Sequence, residues 1–200
     1  GDVVPTGNVL KLIIEGLFTT LTNVSFNEQT LNELIEKVRA ERERLVPQCF
    51  ACVSPCGTNN EYDLSHIWTD NEDIRSLKSL ILFGIRGMAA YAYHAMVLGY
   101  TNDEVSHFFV KALFALGEDW EMDKLLPIVM ELGKVNLVCM EKLDKANTET
   151  YGTPTPTTIE LKVEKGPFII ISGHDLLDLK LLLEQTKDKG INCLLYTSPS

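Results

Sequence analysis

Hydrophobic residues recur at helical spacing through the first three quarters of the chain. Between residues 9 and 20, Leu10, Ile13, Ile14 and Leu17 form one apolar stripe, which predicts an amphipathic helix. The same spacing predicts further helices over residues 25–45, 71–98, 101–116 and 122–147. Short polar connections separate these segments. The pattern therefore predicts a mainly α protein built on an antiparallel helical bundle.

Two of the predicted helices begin with a recognisable cap. Ser25 with Glu28, and Thr101 with Glu104, have the spacing of a capping box. In this motif, each of the two side chains accepts a hydrogen bond from a backbone amide that the helix start leaves free. We therefore expect these residues to mark two helix starts.

The longest apolar stretch, residues 80–98, contains Arg86 near its middle and His94 beyond it. A charge at bilayer depth is costly, so the stretch predicts a core helix rather than a membrane span. Gly84 and Gly87 indicate close packing against a neighbouring helix. For His94, a packing role is favoured over a ligand role, because a histidine among apolar helix residues is usually a core residue.

The pattern changes after residue 147. A polar stretch with two prolines indicates a connection, and alternation over residues 157–163 predicts a strand. Residues 168–171 form a short apolar run that is typical of a parallel strand covered on both faces. A helix over 176–187 and an extended segment from 191 complete a strand–helix–strand unit.

These patterns predict four parts of the chain. They are a helical bundle domain (1–147), a linker (148–156), the start of a truncated, Rossmann-like α/β domain (157–193) and a foreign tail (194–200). A βαβ unit alone does not make an α/β domain, and the chain opens without a methionine. We therefore expect the sequence to be a piece of a longer protein.

Composition and charge narrow the function classes. The 200 residues are 45% hydrophobic and 23% charged, with a net charge of −10. This balance disfavours a nucleic-acid binder or a basic membrane-surface protein, since both need clustered Lys and Arg. Five cysteines in a chain of this size indicate a reducing compartment rather than a disulfide scaffold, so we expect a cytoplasmic protein.

His174 is the sharpest single candidate for chemistry. It directly follows a predicted buried strand and precedes a predicted helix. Ligands collect at the carboxyl ends of strands in open α/β sheets, where a histidine can bind a metal or transfer a proton. The alternative is an ordinary loop histidine. Asp175 is well placed to cap the following helix.

Cys49, Cys52 and Cys56 have spacing that suits a shared metal or cluster. A fourth ligand is then needed, for which His66 or Cys139 would be guesses. Free thiols in a variable surface loop are the favoured interpretation. His107 gives no useful signal.

Four segments resemble the hybrid cluster protein family, also called prismane proteins or hydroxylamine reductases. Their order and spacing cover about residues 10 to 193. They are Thr-Leu-Thr-Asn within 18–26, Gly-x-x-Ala-Tyr-x-x-His-Ala-x-x-Leu-Gly at 87–99, Tyr-Gly-x-Pro-x-Pro within 151–157, and Gly-His-Asp within 170–176.

The resemblance implies a three-domain enzyme with a cubane iron–sulfur cluster and an iron–sulfur–oxygen hybrid cluster. It identifies His174 as an iron ligand of the hybrid cluster, and places Thr22 and Asn23 weakly beside that cluster or its channel. The family's cubane cysteines lie upstream of this sequence and its other hybrid-cluster ligands downstream. The resemblance identifies no catalytic residue within this chain.

The activity implied is reduction of hydroxylamine to ammonia and water, with nitric oxide reduction as a related reaction in nitrogen metabolism. The implied partners are a small nitrogen substrate and an unidentified electron donor, with no nucleic acid and no membrane. Two alternatives stay open. One is a nickel–iron–sulfur carbon monoxide dehydrogenase, and the other is a helical binding module without catalysis.

Overall fold

The computed structural model describes residues 7–22, 24–45, 65–69, 71–158, 162–172 and 175–195. The chain forms two compact units, Gly1–Thr150 and Tyr151–Ser200. The elements run in the order α1 (Gly7–Thr19), α2 (Glu28–Leu45), α3 (Ser65–Thr69), α4 (Glu72–Val97), α5 (Asp103–Gly117), α6 (Met122–Tyr151), β1 (Phe168–Ile171), α7 (Leu176–Thr186) and β2 (Asn192–Leu195). This order confirms the predicted helical bundle followed by the start of an α/β unit.

The core of the first unit lies between α1, α4, α5 and α6. Helix α4 is central, since it contacts α1, α3 and α5. Burial of each large apolar side chain contributes about 1.5–3 kcal/mol. The largest fully buried apolar side chains are Phe109, Ile67, Ile81, Ile85, Met88, Leu116 and Leu125.

The starts of α2 and α5 differ from the predicted capping boxes. Asn27 and Asn102 each accept a hydrogen bond on Oδ1 from the amide three residues ahead, at 3.3 and 3.1 Å. The predicted caps at Ser25 and Thr101 are therefore wrong. Asparagine caps a helix as well as serine does, and in both cases it lies nearer to the first helical residue.

Helix α4 is the one helix in the described part of the chain that is long and apolar enough to cross a membrane. Of its most apolar stretch, 33% is buried inside the protein. Its eight buried residues include the charged Lys78. Ile81, Ile85 and Met88 of this helix lie in the hydrophobic core of the first unit, which agrees with the predicted core helix.

The second unit contains a parallel pair of strands joined by a helix. Strands β1 and β2 pair in parallel, with Phe168 opposite Asn192 and Ile171 opposite Leu195. Helix α7 lies between them in sequence, which confirms the predicted strand–helix–strand order.

The predicted boundaries around this unit differ in three places. Helix α6 continues to Tyr151, inside the stretch predicted as a linker. The described residues of the stretch 157–163, which are 157, 158, 162 and 163, carry no strand. Leu194 and Leu195, assigned to the tail from the sequence, pair with β1, whereas residues 196–200 lie outside the described residues.

The two faces of the sheet differ in exposure. Thr186 of α7 lies 3.6 Å (Oγ1 to Sγ) from Cys193, so α7 covers the face that Cys193 shares with Ile169. On the opposite face, Phe168 is 52% exposed and Ile170 is 64% exposed. The second face of β1 is therefore largely exposed in this chain, and cover on both faces stays a prediction for the whole protein.

Candidate functional site

Two places carry the candidate site residues predicted from the sequence. One is the turn after α1, which holds Thr22, and the other is the carboxyl end of β1, which leads to His174. They belong to different compact units, and each is described by itself.

Hydrogen bonds within the chain close the end of α1. The hydroxyls of Thr19 and Thr20 each donate to the carbonyl three residues back, both at 2.7 Å. The amide of Leu21 donates to the carbonyl of Phe18 at 3.1 Å. These bonds satisfy carbonyls that a helix end otherwise leaves free, so the turn has a defined start.

A side chain from α4 also binds this turn. Arg86 donates from Nε to Oγ1 of Thr20 at 2.8 Å, and from Nη2 to the carbonyl oxygen of the same residue. Its guanidinium lies over the ring of Phe83, 5.4 Å from the centroid. Arg86 stands out in the sequence as the single arginine of the apolar stretch 80–98, but nothing in the sequence identifies Thr20 as its partner.

An aromatic cluster joins α1 to α4 next to this turn. The rings of Phe18 and Tyr93 stack with centroids 4.0 Å apart. The ring of His94 meets both of them edge-on, at 5.5 and 5.9 Å. These contacts support a packing role for His94, but its side chain is exposed, so the expected core position is wrong.

The candidate residues of the turn itself are only partly described. Thr22 is exposed and lies in the turn between α1 and α2. Asn23 lies outside the described residues. What the structure establishes here is therefore the anchoring of Thr20, two residues before Thr22.

At the carboxyl end of β1, the best-defined feature is the start of α7. Asp175 accepts hydrogen bonds on Oδ1 from the amides of Leu177 and Asp178, at 2.9 and 3.0 Å. This confirms the predicted cap. His174 lies outside the described residues, three positions after the last residue of β1. Burial, followed by the charge of Asp175, raises the pKa of the Tyr151 phenol.

The described part of the chain contains no group of three or more His, Cys, Asp or Glu side chains that could hold a metal. Cys49, Cys52 and Cys56 lie outside the described residues. Cys139 is 2% exposed, and burial raises the pKa of its thiol to about 11. A thiol held in its neutral form is a poor metal ligand, so Cys139 gains no support as a fourth ligand.

Comparison with known proteins identifies the family of this chain. A sequence model described as the Prismane/CO dehydrogenase family matches residues 4–195. The chain belongs to this family. The match extends over both compact units and includes the residues of β2.

Curated relatives of this family are similar over most of the chain. A hydroxylamine reductase of Methanosarcina mazei is 40% identical over 91% of this chain and 36% of its own length. One of Methanocaldococcus jannaschii is 41% identical over 94% of the chain and 38% of its own length. One of Chlorobaculum tepidum is 42% identical over 91% of the chain and 36% of its own length. The chain thus spans little more than a third of these relatives.

Membership of the prismane family confirms the resemblance drawn from the four sequence segments. The family implies iron–sulfur cofactors, but the described residues do not by themselves form a site that fits a cluster. The family description also names carbon monoxide dehydrogenases, whereas these three relatives are all named hydroxylamine reductases.

Proposed function

We propose that the whole protein is an oxidoreductase that reduces hydroxylamine. In this reaction one NH₂OH takes up two protons and two electrons, the N–O bond breaks, and ammonia and water leave. The observation that carries the proposal is the similarity to hydroxylamine reductases at about 40% identity, which extends over both compact units. The electrons come from a donor protein or cofactor outside this chain.

Within this proposal, His174 is a ligand to an iron of the hybrid cluster. Two features of the described backbone support it. Strand β1 ends at Ile171, and the cap at Asp175 fixes the residue directly after His174. A neutral imidazole suits iron as a ligand. Because the described residues form no metal site, the other ligands are expected elsewhere in the whole protein.

Thr22 and Asn23 are proposed to lie beside the cluster or its access channel. The exposure of Thr22 supports this role, because a residue in contact with a substrate must be reachable. We place the protein in the cytoplasm, where a reducing environment preserves free cysteines and iron–sulfur clusters.

The test uses the whole protein, purified without oxygen. Reduced methyl viologen supplies electrons, and both its oxidation and the ammonia formed are measured. We expect His174→Ala to abolish turnover and to alter the electron paramagnetic resonance spectrum of the hybrid cluster. His107→Ala is the matched control, because this exposed histidine lies on α5 and its Nδ1 atom contacts the carbonyl oxygen of Asp103 in the same helix.

Two results would overturn parts of the proposal. Full turnover and an unchanged cluster spectrum in His174→Ala would exclude the ligand role. Stoichiometric nickel in the whole protein, with carbon monoxide oxidation and no ammonia formed, would favour the carbon monoxide dehydrogenase alternative.

A further inference from the structure

The turn after α1 is fixed by a side chain that lies 66 residues away in sequence. We propose that Arg86 is a positioning residue for hydroxylamine reduction, which it serves by fixing the backbone that presents Thr22 to the substrate. This inference rests on the proposed function. It assigns Arg86 no contact with the substrate.

The geometry of the contact restricts the turn at two points. The bond from Nη2 reaches the carbonyl oxygen of Thr20, so it sets the plane of the peptide that joins Thr20 to Leu21. The bond from Nε reaches Oγ1 of Thr20, whose hydroxyl donates in turn to the carbonyl of Leu17. Arg86 therefore fixes both the main chain and the side chain two residues before Thr22.

An arginine is suited to this role for three reasons. Its planar fork makes two directed bonds with little further loss of freedom, which a lysine ammonium does not do. The ring of Phe83 supports the guanidinium plane from one side. Its positive charge also lies just beyond the C-terminus of α1, where the helix dipole is negative.

Arg86 is not needed to dock α1 itself. Leu12 and Ile14 of α1 are 8% and 4% exposed, and Phe18 stacks on Tyr93. The helix therefore has its own apolar anchors on the bundle. We expect the loss of Arg86 to loosen the turn while the bundle stays folded, so the role can be tested separately from folding.

The experiment compares Arg86→Gln and Arg86→Lys in the whole protein. Arg75→Gln, at an exposed position of the same helix, is the matched control for loss of an α4 arginine. Hydrogen exchange of the amides of Thr20 and Leu21, which donate to the carbonyls of Leu17 and Phe18, reports the turn. Circular dichroism and iron content report folding and cluster loading. Hydroxylamine turnover is measured on the same samples, with kcat and KM separated.

In Arg86→Gln we expect faster exchange confined to the turn, unchanged iron content, and a fall in kcat/KM of about tenfold or more, since small misplacements of positioning groups cost that much. Arg86→Lys should recover part of the loss, and Arg75→Gln should match the wild type. Unchanged exchange in Arg86→Gln overturns the inference. So does wild-type turnover, even if exchange rises.

The two proposals can fail separately. If the unsubstituted whole protein, fully loaded with iron, does not reduce hydroxylamine, the proposed function fails, and the catalytic part of this inference fails with it. If it does reduce hydroxylamine and Arg86→Gln behaves as the wild type, the inference alone fails.

Discussion

The side chain of Leu132 on α6 lies directly over the Cα of Gly84 on α4. A Cβ built at Gly84 would overlap the Cδ2 atom of Leu132, whereas one at Gly87 would meet no atom of the described residues within 4 Å. The close helix packing predicted from these two glycines is therefore confirmed at Gly84, while the described residues give Gly87 no such contact. The glycine lets two core helices approach at the position where Leu132 packs.

This difference predicts opposite effects of two alanine substitutions. Gly87→Ala should stabilise the chain by about 0.5–1 kcal/mol, because alanine restricts the unfolded helix segment more than glycine does. Gly84→Ala gains the same stabilisation from replacing glycine by alanine, but its new Cβ must displace Leu132, which costs about 1–3 kcal/mol. Urea unfolding of both variants measures the difference. Equal free energies of unfolding would show that Leu132 moves aside without cost.

A hydrogen bond between Tyr100 and Glu149 predicts a pH effect on stability. The phenol donates to Oε2 of Glu149 at 2.5 Å, and this bond, followed by burial and the carboxylate charge, raises the pKa of Tyr100 above its ordinary value of 10.0. The folded state therefore keeps the phenolic proton to a higher pH than the unfolded state does. The stabilisation is complete below pH 10 and is lost as the pH rises through the folded pKa.

The measurement is the melting temperature of the wild type and of Tyr100→Phe across this range. The wild type should be more stable at pH 8, and the difference should shrink above pH 10. Lys145 also lies 3.8 Å from the other oxygen of Glu149, but it is present in both proteins and so cancels in the difference. A difference that is constant from pH 8 to 11 would contradict the shifted pKa.

The cap at Asp175 predicts a local effect at the start of α7. Removing a capping side chain costs about 1 kcal/mol, so Asp175→Ala should speed exchange of the amides of Leu177 and Asp178 by about fivefold. Asp175→Asn should retain most of the protection, because its amide oxygen also caps. Exchange is measured on the 200-residue chain. Equal protection in Asp175→Ala would mean that the helix start is held by other contacts.

Much of the fold could be predicted because its signals are local. Apolar residues at helical spacing identify α1, α4, α5 and α6, since the same spacing produces the face that each helix buries. The predicted starts of α2 and α5 are displaced by one or two residues because Asn27 and Asn102 compete with equally good capping residues nearby. Which of two neighbouring residues caps a helix depends on the backbone geometry of the segment that precedes the helix.

The candidate site was less accessible to sequence reasoning. His174 was singled out as a ligand from its place after a strand and from a family resemblance, and this role stays a prediction. The contact from Arg86 to Thr20 has no local signal, because the two residues meet only after α1 packs on α4. The alternation at 157–163 predicted a strand, but a strand needs a partner, and both strands of the described sheet are formed by other residues.

The uncovered face of the sheet predicts how the 200-residue chain behaves in solution. Phe168 and Ile170 stay largely exposed opposite α7. A two-stranded sheet is marginally stable alone, and parallel sheets are normally covered on both faces, so we expect concentration-dependent self-association through this face.

Ile170→Lys should weaken this self-association, since a charge on this face would have to be buried in the contact. Gln185→Lys, which adds the same charge to an exposed position of α7, should not. Sedimentation velocity at several concentrations measures the association, and equal association of Ile170→Lys and the wild type would place the contact elsewhere.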